Sequence, residues 1–158
     1  MRQSRHEQVR AFSCYVFTRD ARLLLTMRGQ TKKAWPGVWS NSCHGNPDPG
    51  ESTSDALTRA LRDELGLTAA VAELVLPGLH CGTTGEICQV YRVVTDELPH
   101  PDPAEVGDFE WVDWADFVYA VAAGDLTVAP WCGPQVAALS ALGADPARWP
   151  VAAVADAA

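Results

Sequence analysis

The sequence predicts one domain of α+β or layered α/β class. Three observations lead there. β-rich runs recur along the chain, helical stretches with apolar spacing fall between them, and no internal repeat or linker separates the two kinds of segment. With 158 residues the chain can bury a core of its own without staples. Residues 1–150 read as that domain, and the tail at 151–158 is expected to fray.

The elements follow in order. AFSCYVF (11–17) and RLLLTMR (22–28) flank Thr18-Arg19-Asp20-Ala21, which predicts an antiparallel hairpin. Residues 29–50 read as a loop because prolines stand at 36, 47 and 49 and glycines at 37, 45 and 50; Trp35 and Trp39 predict that it packs over something. From Ser52 to Leu65 the apolar residues Ala56, Leu57, Ala60, Leu61 and Leu65 recur at helical spacing. Ser52 or Ser54 can cap that helix and Gly66 stops it. GEICQVYRVV (85–94) and DFEWV (108–112) predict strands, and DWADFVYAVAAG (113–124) and PQVAALSALGA (134–144) predict helices.

A net charge of −8 argues against a general nucleic-acid binder, which needs a broad basic surface. No apolar run reaches the roughly 20 residues that span a bilayer, so no membrane insertion is expected. The five cysteines are scattered without a CxxC pair, and the N-terminus lacks the apolar core of a secretory signal. Both point to a reducing cytoplasm. The only two lysines, in TKKAWPGVW, lie just after Arg28 and make a small basic spot in an acidic protein. Such a spot suits one small phosphorylated ligand accompanied by a divalent cation.

Gly45, Glu51, Arg59, Leu61, Glu64, Gly66 and Leu67 stand at the spacing of the Nudix box, a loop, helix and loop in which helix carboxylates face a divalent ion that bridges to a diphosphate. Asp63 and Glu64, on the last turn, are expected to converge on such an ion. The box is incomplete, because Ala60 stands where a hydrolytic enzyme carries a glutamate. Around it, RAFSCYVF, TKKAWPGVWSNS, PGES, PAEVGDFEWVDWADF and APW (129–131) together resemble type I isopentenyl-diphosphate isomerase from about Arg10 to about Trp131.

The resemblance implies a Nudix fold, a mixed sheet between helices, and Mg2+ joining a diphosphate to Glu64. It assigns Arg28 and Lys32 to the diphosphate and Trp131 to the wall that faces a carbocation. Departures accompany it. The family's catalytic cysteine falls at His44, and Cys43 matches the residue before it. The positions of the family's internal metal read Arg2, Val9, Asn46, Thr84 and Glu86, so one of five ligands survives; His6 or His80 are the candidates for partial replacement. Because neighbours in an extended segment face opposite ways, Cys43 is expected to pack inward while His44 takes the catalytic place.

The expectation is a Mg2+-dependent enzyme, monomer or homodimer, in which His44 and Glu86 move protons as a prenyl diphosphate is isomerised or cyclised. The alternatives are the family's own isopentenyl-diphosphate isomerisation, a Nudix diphosphohydrolase, and a prenyl-diphosphate binder without turnover.

Overall fold

The computed structural model describes residues 10–81 and 86–153, of which Cys81 is described by its backbone alone. Among the described residues a seven-stranded mixed sheet carries helices on both faces, as expected. Its strands are β1 (Arg10–Phe17), β2 (Arg22–Arg28), β3 (Trp39–Ser40), β4 (Cys43–Gly45), β5 (Ala72–Cys81), β6 (Glu86–Val94) and β7 (Val106–Asp113). The helices among the described residues are α1 (Thr53–Leu65), α2 (Trp114–Ala123) and α3 (Cys132–Ser140).

Strand β1 is the centre. It is apolar at nearly every position because it is covered on both sides. Ala11, Tyr15 and Phe17 belong to a core with Leu23, Trp114, Phe117, Trp131, Leu139 and Trp149. Phe12, Cys14 and Val16 belong to the other, with Leu24, Cys43 and the buried face of α1. Successive side chains on a strand alternate, so one segment serves two layers.

The expected hairpin is only partly paired. β1 and β2 meet in register at Phe17 and Leu23, then separate, and β4 replaces β2 along β1 while β3 pairs with β2. The far edge of β1 runs parallel to β6. Asn41 and Ser42 sit in the fork, both fully or nearly fully buried. Asn41 Nδ2 donates to the carbonyls of Cys14 (3.0 Å) and Cys43 (2.8 Å). Ser42 Oγ accepts from Val16 N at 2.8 Å and donates to Leu24 O at 2.7 Å. These side chains bond the backbone groups that the parting strands leave unpaired, which buried backbone requires.

Helix α1 forms as the sequence predicts. Ser52 caps it by accepting from Asp55 N, and Gly66 ends it at a left-handed φ of 68°. Any Cβ at Gly66 would also lie 2.8 Å from the carbonyl oxygen of His100. Three expectations are corrected. The segment 29–50 contains β3 and β4. The last helix begins at Cys132 and stops at Ser140, ahead of Gly143 and a 3-10 turn at Pro146–Arg148. The tail is anchored at Ala152, whose N–H donates to Leu74 O at 2.8 Å; residues 154–158 lie outside the described residues.

β5 has no counterpart in the sequence reading. Pro77 and Gly78 break its pattern, and its register against β6 shifts twice around them, as an edge strand tolerates. No helix among the described residues is long and apolar enough to cross a membrane. Cys14, Cys43 and Cys132 are free thiols while Cys88 takes part in a disulfide, so cysteine scatter alone does not argue for a reducing compartment.

Candidate active site

The fork opens on one side into a cleft whose lining includes Arg28, Lys32, Asn41, Cys43, His44, Glu64 and Glu105. Arg28 arrives from the end of β2, His44 from β4 and Glu64 from the last turn of α1. Arg28 Nε donates to Ala34 O at 2.9 Å, which holds the guanidinium back over the loop. Lys32 Nζ forms a 2.5 Å ion pair with Glu105. Any anion that recruits Lys32 therefore competes with Glu105.

Glu64 differs from its neighbours in having no partner. Its carboxylate makes no hydrogen bond or salt bridge among the described residues, and burial is the main cause that raises its pKa. Lys32 and Arg28 oppose that rise while Glu105 adds to it. Asp63 does not join it, contrary to expectation. It is exposed and bonded to Arg62 at 2.9 Å, as successive helical residues point about 100° apart. Glu51 is held by two bonds from Arg59, at 3.0 and 2.8 Å, and fixes the loop that leads into α1.

His44 lies flat on Trp131, with ring centroids 3.9 Å apart and planes at 8°. Trp131 Nε1 donates to Asn41 Oδ1 at 2.9 Å, so the residue that knits the fork also sets the indole. Trp131 is 8% exposed and does not line the cleft. The expected aromatic wall is thus an imidazole backed by an indole. The Arg28 guanidinium carbon lies 5.0 Å from the indole centroid, within cation–π range. Burial, then Arg28 and Lys32, push the His44 pKa down to about 3, so the ring is neutral around pH 7.

Cys43 also lines the cleft, but its side chain belongs to the core layer under α1. It is 5% exposed in the core under α1, paired in register with Cys14, and its thiol is held well above its ordinary value by a hydrogen bond with Cys14 and by burial. Glu86 opens β6 and is not among the cleft residues. It stands four residues from Val90, which is level with Ser13 and His44, or roughly 13 Å along the strand. Arg2, His6, Val9 and Thr84 lie outside the described residues, and no group of three or more metal-ligating side chains occurs among those described.

The neutral His44 makes an acid-lability prediction with a definite sign. The unfolded chain binds the imidazole proton near pH 6.5 and the native state only near 3, so stability falls as pH drops through that window and carries no such penalty above it. His44→Gln should therefore flatten the fall in stability between pH 6.5 and 4. The expected difference at pH 4 is about 1–3 kcal/mol, read from urea unfolding at a series of pH values. Parallel curves for the two proteins would refute the burial-driven shift.

Fold and cleft together define a Nudix domain, and the sequence profile described as the NUDIX domain matches residues 7–132. Solved structures agree at the level of fold. A protein of Deinococcus radiodurans superposes with a TM-score of 0.72 at 21% identity, covering 82% of each chain. A MutT protein of Methanosarcina mazei does so at 0.65 and 14% identity, over 84% of this chain and 94% of that one.

Closer relatives narrow the class. An isopentenyl-diphosphate Delta-isomerase of Saccharopolyspora erythraea is 46% identical over 153 residues, 92% of this chain and 79% of that protein. One of Rhizobium rhizogenes is 43% identical over 150 residues, 90% of this chain and 72% of that protein. The chain belongs to the type I isopentenyl-diphosphate isomerase family of the Nudix superfamily.

Proposed function

We propose that this protein is a Mg2+-dependent enzyme of prenyl diphosphates that isomerises or cyclises the prenyl chain by moving protons at a carbocation. The observation that carries the reading is one cleft in which two cations, an unpartnered carboxylate and a neutral histidine meet. Arg28 and Lys32 hold the diphosphate. Glu64 suits Mg2+, which is commonly bound by one or two carboxylates plus substrate phosphates and water. When bound, the ion offsets diphosphate charge and so favours its departure or retention in place.

His44 occupies the position where the family has its thiol. A neutral imidazole of such low proton affinity is present almost wholly as its base at pH 7, so it does not serve as an acid toward an unactivated alkene. It suits removal of a proton from carbon next to a cationic centre, where the C–H electron pair becomes the new double bond and the proton passes to nitrogen. Glu86 remains a candidate for the opposite end of the prenyl chain. The second reading, isopentenyl-diphosphate isomerisation itself, is supported by the names of the relatives. Hydrolysis is disfavoured because Ala60 is buried against the core and Glu51 is occupied by Arg59.

The test is incubation with Mg2+ and diphosphates of five, ten and fifteen carbons in deuterated water, followed by product analysis. Isomerised or cyclic products carrying deuterium are expected, lost on adding EDTA. A prenyl alcohol or monophosphate as the only product would assign a hydrolase instead. Within this reading Arg28→Ala and Lys32→Ala should each raise KM or Kd for the diphosphate about 10- to 100-fold, the worth of one charge-assisted contact, with a smaller effect on kcat. Calorimetric titration with inorganic diphosphate checks it, and wild-type affinity in both variants would remove the proposed anion site.

A further inference from the structure

His44 is the end of a buried polar chain that runs along one face of the sheet. Ser13 Oγ lies 2.7 Å from His44 Nδ1, Gln135 Nε2 donates to Ser13 Oγ at 2.9 Å, and Tyr15 OH donates to Gln135 Oε1 at 2.8 Å. Ser13, Tyr15 and Gln135 are fully buried in an otherwise apolar layer that includes Leu139, Val136 and Trp114. A polar chain there is costly unless each member is satisfied. The direction of its hydrogen bonds therefore matters.

The direction can be read off. An amide nitrogen only donates, so the Ser13 oxygen accepts from Gln135 and keeps one proton to give. Among the described residues His44 Nδ1 is the sole acceptor within reach of that proton. If Nδ1 carried a hydrogen instead, Ser13 would accept twice and its own buried O–H would have no acceptor, a cost of about 1–3 kcal/mol. His44 Nε2 has no protein partner among the described residues, and the ring lines the cleft.

We propose that Gln135, acting through Ser13, is a positioning residue that holds His44 as the tautomer with its proton on Nε2. At rest the cleft then meets an N–H rather than a lone pair. The ring becomes a proton acceptor at Nε2 only in the other tautomer, formed when the ring gives its Nε2 proton to solvent and takes one up from solvent at Nδ1. The chain is then reversed, with the Gln135 amide turned over, Ser13 donating its own proton to the amide oxygen, and Nδ1–H donating to Ser13. Tyr15 allows this, since a phenol hydroxyl can accept as well as donate. The amide of Gln135 thus decides which face of the acid–base pair His44 offers. The bearing on turnover rests on the function proposed above; the tautomer itself does not.

The experiment is 15N NMR of histidine-labelled protein near pH 7, with the His44 signals assigned by their loss in His44→Gln. Wild type is expected to show a protonated-type shift at Nε2 and an unprotonated-type shift at Nδ1. Gln135→Glu places an acceptor against Ser13 and Tyr15, so both hydroxyls turn toward it and the two His44 shifts should exchange places. Ser13→Ala, the milder change, should give shifts averaged between the tautomers. Nδ1 protonated in wild type, or shifts unmoved in Ser13→Ala, overturns the proposal, whether or not Gln135→Glu folds. Because no substrate is present, these readings stand apart from the product analysis above.

Discussion

Glu64→Gln is expected to abolish Mg2+-dependent diphosphate binding and to lower turnover by at least about a thousandfold, while the metal-free protein becomes more stable. The gain in stability is the discriminating part. Burial holds the Glu64 carboxyl above its ordinary value of 4.5, so the native state binds that proton more tightly than the unfolded chain. Ionisation then subtracts stability as pH rises through the raised pKa. Glutamine removes the charge at nearly the same volume. A rise in Tm of roughly 2–4 °C, the equivalent of ~1 kcal/mol in a domain of this size, is expected without metal and not with saturating Mg2+ and diphosphate. Unchanged calorimetric binding of Mg2+ with inorganic diphosphate in Glu64→Gln would show that the cation is held elsewhere.

His44→Ala and Cys43→Ala should separate cleanly. The first is expected to cut kcat by about 10²–10⁴, the usual contribution of a placed acid–base group, with less than about a tenfold change in KM. The second should leave kcat within about threefold of wild type and cost about 1–2 kcal/mol of stability, because Cys43 fills the layer under α1 beside Cys14. Steady-state kinetics and denaturant melts of the two variants decide the matter. An inactive Cys43→Ala beside an active His44→Ala would restore a thiol mechanism and, with it, the isomerase reading.

What the sequence makes legible is what local chemistry specifies. Helix α1 carries its own cap, apolar stripe and stop, and all three are in the structure. β5 is illegible because Pro77 and Gly78 interrupt its alternation, and only pairing with β6 makes a strand of it. β3 and β4 are two and three residues long, too short for any period to show among the prolines and glycines around them.

In the site, Arg28, Lys32 and Glu64 are accessible through motif spacing. Glu105 and Asn41 lie inside quoted motifs, yet nothing local marks one as the partner of Lys32 or the other as the brace of Trp131. The contact of Ser13 with Gln135 joins residues 122 positions apart and leaves no trace in either neighbourhood. The position of Trp131 behind His44 is likewise a tertiary fact. Aromatic character predicts a wall, and only packing tells which ring is in front.

The three-residue strand β4 has a consequence for how this scaffold can change. Both its first two residues line the cleft, but only the first also belongs to the core under α1, so mutational drift at position 43 is filtered by folding as well as by the cleft and drift at position 44 by the cleft alone. The two filters act on adjacent codons that share the cleft but not the core layer. A library randomised at position 44 alone should keep most members folded while sampling acids, bases and inert walls beside the same Arg28, Lys32 and Glu64. The same library at position 43 should be culled by misfolding before any reaction is tested. New reactions in this fold are thus reachable by single substitutions at one half of a dipeptide, with the other half serving as ballast.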